Sequence, residues 1–141
     1  MEQLNKFVAA QESTYSVALA EIKNGRKQTH WMWYIFPQIR GLGYSETSQF
    51  YALEHLEQAQ QYLKHPVLGK RLVEISSALL DLPGDNATSI FGKPDDLKLK
   101  SSMTLFAEVP NTIPVFQKVL EKFFEGKKDP QTLEKLKQEL N

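Results

Sequence analysis

Cysteine is absent from the chain. That absence excludes a disulfide framework, a thiolate metal site and a thiol nucleophile, and it is compatible with a reducing compartment. An excess of either charge is absent as well. The 17 Lys and Arg balance 17 Asp and Glu, so no global field favours nucleic acid or an anionic membrane, and a charged ligand must be held by local groups. The N-terminal stretch MEQLNKFVAAQEST carries charge where a signal peptide needs an apolar core, and no apolar run approaches a membrane span. The expectation is a soluble cytoplasmic protein with neither a membrane nor a nucleic acid among its partners. The common chemical signatures are missing too: there is no phosphate loop and no GxGxxG, HExxH or GxSxG pattern. His30, His55 and His65 are scattered without the short spacing of a zinc site, so neither a metal nor a cofactor is expected.

What is present describes a folded domain. The 141 residues are 41% apolar, 24% charged and 11% aromatic, which is far from the aromatic-poor composition of disorder and enough for a core without staples. No linker, repeat or low-complexity tract divides the chain, so residues 1–141 read as a single domain. Periodicity and capping chemistry point to helices. In YSVALAEIKNG, Tyr15, Ala18, Leu19 and Ile22 share a face, Ser13 or Thr14 offers an N-cap, and Gly25 suits a left-handed C-terminal position. SETSQFYALEHLEQAQQYLKHP reads as one helix with Phe50, Leu53 and Leu56 inward, a cap at Ser45 or Ser48, and Pro66 at its end. Pro66 then suits the first turn of a helix carrying Leu68, Leu72, Ile75 and Leu79.

The stretch DLPGDNATSIFGKPDD predicts the longest connection, with a single turn around Ala87 to Phe91. Asp95 or Asp96 can cap a helix containing Leu99, Met103 and Phe106, which Pro110 ends. IPVFQKVLEKFFEG is strongly amphipathic and is expected to bury Phe116, Val119, Leu120 and Phe123, with Gly126 just past its end. DPQTLEKLKQEL closes with Asp129 as cap, Pro130 at the first position, and Leu133, Leu136 and Leu140 as a narrow stripe. The predicted architecture is all-α and compact, with about six to eight helices.

One segment resists the helical pattern. HWMWYIFPQIRGLG places five aromatic rings in seven positions before Pro37. WMWYIF favours a strand by propensity, but no second segment alternates convincingly, and a lone strand leaves backbone groups unpaired. A short buried helix of about two turns, capped at Thr29, is the expectation. The rings are natural core anchors. The polar residues interleaved with them, His30, Gln38, Arg40, Ser45 and Ser48, are less simply explained, as is the sequence RGLGYS. The Gly41 and Gly43 pair permits converging backbone N–H groups, and Arg40 adds a charge, so the element suits a carboxylate or phosphate, although such pairs also make ordinary turns. In KLKSSMTLF, Ser101, Ser102 and Thr104 either bond back to helix carbonyls or let one serine line a pocket. His55 reads as a solvated helix residue and His65 as a helix C-terminal one.

HWMWYIFPQIRGLGYSETSQFYAL, YLKHPVLGKRL, SSMTLF, a Phe-rich helix and TLEKL together resemble a family of small bacterial and fungal proteins, domain of unknown function serial eighteen-ten. The resemblance implies an all-α multihelical fold, related to that of a structurally described mycobacterial protein, without an established activity. Some members are labelled calpastatin. Calpastatin-type inhibitors are disordered before binding, whereas this composition is that of a packed globule.

Two functional readings differ in class. In the first, a small anionic or nucleotide-like ligand sits in a pocket formed by His30, Trp33, Gln38, Arg40, Gly41, Gly43, Ser45, Ser48 and Ser102, with Trp31 or Tyr34 as further stacking walls. His30 is then the candidate acid or base, because imidazole titrates near neutrality. In the second, exposed members of the aromatic segment form a hot spot for a protein partner or second copy. A concave polar pocket that includes Ser101 or Ser102 favours the first, and a flat aromatic patch favours the second. The sequence assigns neither an oligomeric state nor a reaction.

Overall fold

Leu4, Phe7 and Ile22 from the N-terminal helices meet Phe106, Phe116 and Leu136 from the C-terminal ones in one hydrophobic cluster. The fold was obtained as a computed structural model that describes residues 2–139. After a 3-10 turn at Glu2–Leu4 come ten helices among the described residues: α1 (Asn5–Gln11), α2 (Tyr15–Lys23), α3 (Met32–Ile35), α4 (Glu46–Phe50), α5 (Leu56–Lys64), α6 (Leu68–Leu80), α7 (Ala87–Phe91), α8 (Asp95–Ala107), α9 (Val115–Phe124) and α10 (Pro130–Glu139). No helix among them is long and apolar enough to cross a membrane. The all-α expectation holds, while the ten helices exceed the expected six to eight, and one of the additional helices arises because the predicted 45–66 helix is two.

The break at 51–55 has a tertiary cause. Leu53 pairs with Ile39 in an isolated parallel bridge, its N–H donating to Gln38 O and its carbonyl accepting from Arg40 N–H, both at 2.9 Å. The chain therefore leaves helical geometry to bury Ile39 and Leu53 together, and Phe50 is 54% exposed instead of inward. Ser45 caps α4 by accepting from Ser48 N–H, and His55 caps α5 by accepting from Gln58 N–H through Nδ1. His55 is thus a cap, not a bystander on a helix face. His65 is the C-cap of α5, as its place in the sequence suggests, and its Nδ1 also accepts from the N–H groups of Val67 and Leu68 at the start of α6.

Other local expectations are modified by packing. Thr14 precedes α2 but makes no side-chain capping bond, while Gly25 takes φ +77° as expected. The aromatic segment forms one helical turn, not two, because Pro37 follows and holds Phe36 in an extended conformation (φ −124°, ψ 75°). Asn86 caps α7 within the predicted connection. Neither Asp95 nor Asp96 caps α8: the Asp95 carboxylate reaches Lys27 at 2.9 Å and Lys98 at 3.5 Å, and buried Asp96 accepts from Thr88 Oγ1 and Leu97 N–H. Glu125 as well as Gly126 is left-handed at the end of α9, with φ 56° and 76°. Phe116, Val119 and Leu120 are buried, but Phe123 is only half-buried at the edge of the core, so truncating it removes less buried area than enclosure would imply. Leu136 is buried and Leu133 partly so, while Leu140 lies outside the described residues.

One capping interaction joins distant helices. The ammonium of Lys122 on α9 donates to Leu79 O and Leu80 O at 3.1 and 3.0 Å and also to Leu82 O, satisfying carbonyls at the end of α6 with a positive charge where the helix dipole favours one. Lys122→Met keeps the stem but removes the donors, and is expected to cost about 1.5–3 kcal/mol. Thermal melting with an unchanged Tm would refute that role.

Candidate functional site

The strand-like bridge orders the region sequence reading singled out. Side chains alternate along an extended segment, so burying Ile39 turns its neighbours Gln38 and Arg40 away from the core. Beyond them the chain turns at Gly41, whose φ of +93° suits glycine; a Cβ there would also come within 2.9 Å of Lys135 Cε. Gly43 has an ordinary φ but is sterically required: a Cβ would lie 2.5 Å from Ser48 Cβ, where α4 folds back onto the turn. The Ser45 hydroxyl donates to Ser48 Oγ at 2.8 Å, and Gln49 Nε2 donates to Tyr44 O at 3.0 Å.

Helix α10 forms the facing wall. Its start is held by Asp129, whose N–H donates to Thr104 Oγ1 and whose carboxylate accepts from Ser101 Oγ, Thr132 Oγ1 and Thr132 N–H. Its end is held by Glu139, which accepts from Leu56 N–H at 3.1 Å. Between the walls lies a cleft of about 610 Å³, a size suited to a small molecule.

The cleft gathers Trp33, Gln38, Arg40, Gly41, Gly43 and Ser48. Lys135 of α10, which the sequence reading passed over, joins them together with Tyr44 and Tyr51. His30, Ser45 and Ser102 do not line it. His30 is exposed ahead of α3, with its carbonyl accepting from Tyr34 Oη at 3.4 Å. Ser45 is spent as a cap, and Ser102 is wholly enclosed with an unpartnered hydroxyl. The serine-rich part of α8 instead has structural duties: Ser101 and Thr104 bond back to Leu97 O and Lys100 O while anchoring α10. Trp31 is fully buried, and its indole N–H donates to Glu21 at 2.9 Å.

Charge within the cleft is unevenly committed. Arg40 is 3.3 Å from Glu54, with their side chains 70% and 55% exposed, so this pair contributes little to stability. Glu139 is engaged by the Leu56 N–H. Lys135 has no ion-pair or hydrogen-bond partner among the described residues, and the N–H groups of Gly41 and Gly43 donate to no protein acceptor there. Burial, and then the neighbouring Tyr34, push the Tyr51 phenol upward, keeping it a neutral group in the wall. Among the described residues no group of three or more His, Asp or Glu side chains is placed to hold a metal ion.

Comparison with known proteins extends the likeness over almost the whole chain. A solved structure, that of the conserved hypothetical protein Rv1873 from Mycobacterium tuberculosis, is 44% identical, superposes with a TM-score of 0.93, and covers 95% of this chain and 96% of its own. A search of curated proteins finds no match. The family described as "Protein of unknown function (DUF1810)" matches residues 1–136. With that match spanning its helices from the N-terminal turn into α10, the chain belongs to the DUF1810 family.

Proposed function

We propose that the cleft between the Gln38–Glu54 segment and α10 binds a small anionic molecule with a planar, nucleotide-like part. The observation that carries this reading is the unpartnered Lys135 ammonium lying across Gly41, beside the unpaired N–H groups of Gly41 and Gly43. A cation with free N–H donors at the edge of a concavity is an ordinary means of holding a phosphate or carboxylate. Arg40 is the second cation, able to exchange its exposed Glu54 partner for the ligand. Trp33, Tyr44 and Tyr51 supply the aromatic surface, while Gln38 and Ser48 supply neutral polar contacts. The five-residue α4 contributes no helix-terminal anion site: it is a short helix, and its Ser48 N–H is already capped by Ser45. The reading is one of binding: His30, the candidate acid or base, stands outside the lining.

Native mass spectrometry of the purified protein, followed by calorimetric titration with adenosine monophosphate and with inorganic phosphate, tests this. Arg40→Ala and Lys135→Ala are each expected to weaken binding by about tenfold or more while leaving Tm nearly unchanged. Unchanged ligand retention together with a large fall in Tm would overturn it. A second reading, a surface for a protein partner, is favoured by Tyr44 at 90% exposure and by Phe50 on α4 at 54%. Loss of a concentration-dependent complex in sedimentation on Tyr44→Ser would support that alternative.

A further inference from the structure

A second cavity, sharing no lining residue with the first, lies where α5 and α6 meet the loop between α8 and α9. Its volume is about 480 Å³. The two helices approach so closely that a Cβ on Gly69 would stand 2.0 Å from Leu63 O, and Leu63 and Val73 supply an apolar wall beside that contact. The opposite wall is Val109 to Ile113, a loop shaped by Asn111 at φ 60° and by the bond from Thr112 N–H to Val109 O at 3.1 Å.

Two observations specify what fits there. The apolar surface is open, and Ile113 on the loop wall is 42% exposed. The charged residues lining the cavity are Lys64 and Lys70, both exposed, and neither has an ion-pair or hydrogen-bond partner among the described residues. An apolar slot bordered by two uncompensated ammonium groups is complementary to a molecule with an apolar body and one negative head.

We infer that this cavity is a binding site for a small aliphatic monocarboxylate, with its chain against Leu63, Val73, Val109 and Ile113 and its carboxylate held by Lys64 and Lys70. Lysine ammonium groups act as compact point charges, so they hold a carboxylate without imposing the paired geometry an arginine would require. The apolar chain supplies burial, and the charges discriminate the acid from its neutral analogue.

Chemical-shift titration with octanoate and with octan-1-ol tests the inference, since the two share a chain and differ in charge. Octanoate is expected to shift amide resonances of Gln60 to Val73 and Val109 to Ile113 in a saturable manner, and octanol to bind at least about tenfold more weakly. The double variant Lys64→Ala, Lys70→Ala should bring octanoate down to the level of octanol without changing Tm, because both side chains are exposed. Val73→Trp, on the half-buried face of α6, should block both ligands by filling the slot. Equal affinity for acid and alcohol, shifts confined to the Gln38–Glu54 cleft, or a dimer in sedimentation that octanoate does not displace would each overturn the proposal.

Discussion

Phe106→Ala is expected to lower the free energy of unfolding by about 3–5 kcal/mol. Phe106 is fully enclosed on α8, with its ring 5.5 Å from that of Tyr62 on α5 and 5.6 Å from that of Phe116 on α9. Truncation therefore loses the transfer free energy of a whole aromatic side chain and leaves a cavity where three helices meet. The surrounding helices cannot close that cavity cheaply. Tyr62 is itself held, its hydroxyl accepting from Gln11 Nε2 at 3.0 Å, and Gln11 also donates to Tyr34 O at 2.7 Å. Collapse of Tyr62 into the vacated space would break this buried network. Urea unfolding should show a lower midpoint with an unchanged slope. A loss below about 1 kcal/mol would mean that the core repacks around the missing ring.

Glu21→Leu is expected to cost about 3–5 kcal/mol and, more distinctively, to flatten the acid limb of the stability profile. Glu21 is 9% exposed, yet its carboxylate accepts from Gln28 N–H at 2.8 Å, Trp31 Nε1 at 2.9 Å, Thr29 Oγ1 at 2.8 Å and Thr29 N–H at 3.1 Å. Burial by itself raises its pKa. The donors of Gln28, Trp31 and Thr29 outweigh burial and hold the group down from 4.5 to about 2. The folded state thus binds this proton less readily than the unfolded chain. The resulting stability is fully present above about pH 4.5 and is lost as pH falls toward 2. Allowing for solvent screening at the edge of the site, the contribution amounts to about 1–3 kcal/mol. Leucine leaves the indole and backbone donors without an acceptor and has no proton to gain. The difference in unfolding free energy between the native chain and the variant should therefore shrink as pH is lowered through that window. A constant difference from pH 5 to pH 2 would show that Glu21 does not carry the linkage.

The same carboxylate explains much of what was hard to read in HWMWYIFPQIRGLG. The aromatic density announces burial, and Trp31 and Phe36 are indeed enclosed. Nothing in the segment indicates that the Trp31 indole is satisfied by a glutamate on the preceding amphipathic helix. The signal available was a charged residue beside the apolar face of α2: Glu21 immediately precedes Ile22 and, once the chain turns at Gly25, has the 28–31 backbone within reach. The candidate site was legible to a similar degree. Gln38, Arg40, Gly41, Gly43 and Ser48 were marked by chemistry unusual beside a core, and the structure brings them to one concavity with Trp33. Lys135 could not be marked, because in sequence it is one of two lysines on a terminal amphipathic helix, with nothing to set it apart from Lys137.

Local interactions account for what the sequence by itself determined: the all-helical class, the face of α6 carrying Leu68, Leu72, Ile75 and Leu79, the Asp129–Pro130 start of α10, and the helix stops at Gly25 and Pro110. Each depends on contacts within a turn or two, so residue type and spacing suffice. Tertiary structure decided the break between α4 and α5, the outward turn of Phe50, the burial of Ser102 and the partnership of Lys122 with the end of α6. These depend on groups far apart in the chain. Leu53 leaves its helix because the hydrogen bonds and burial gained beside Ile39 outweigh local propensity. The cleft exists because Asp129 and Glu139 fix both ends of α10 against elements distant in sequence. Helical periodicity encodes which face seeks burial, but the bonds that place one face opposite another exist only once the chain has folded.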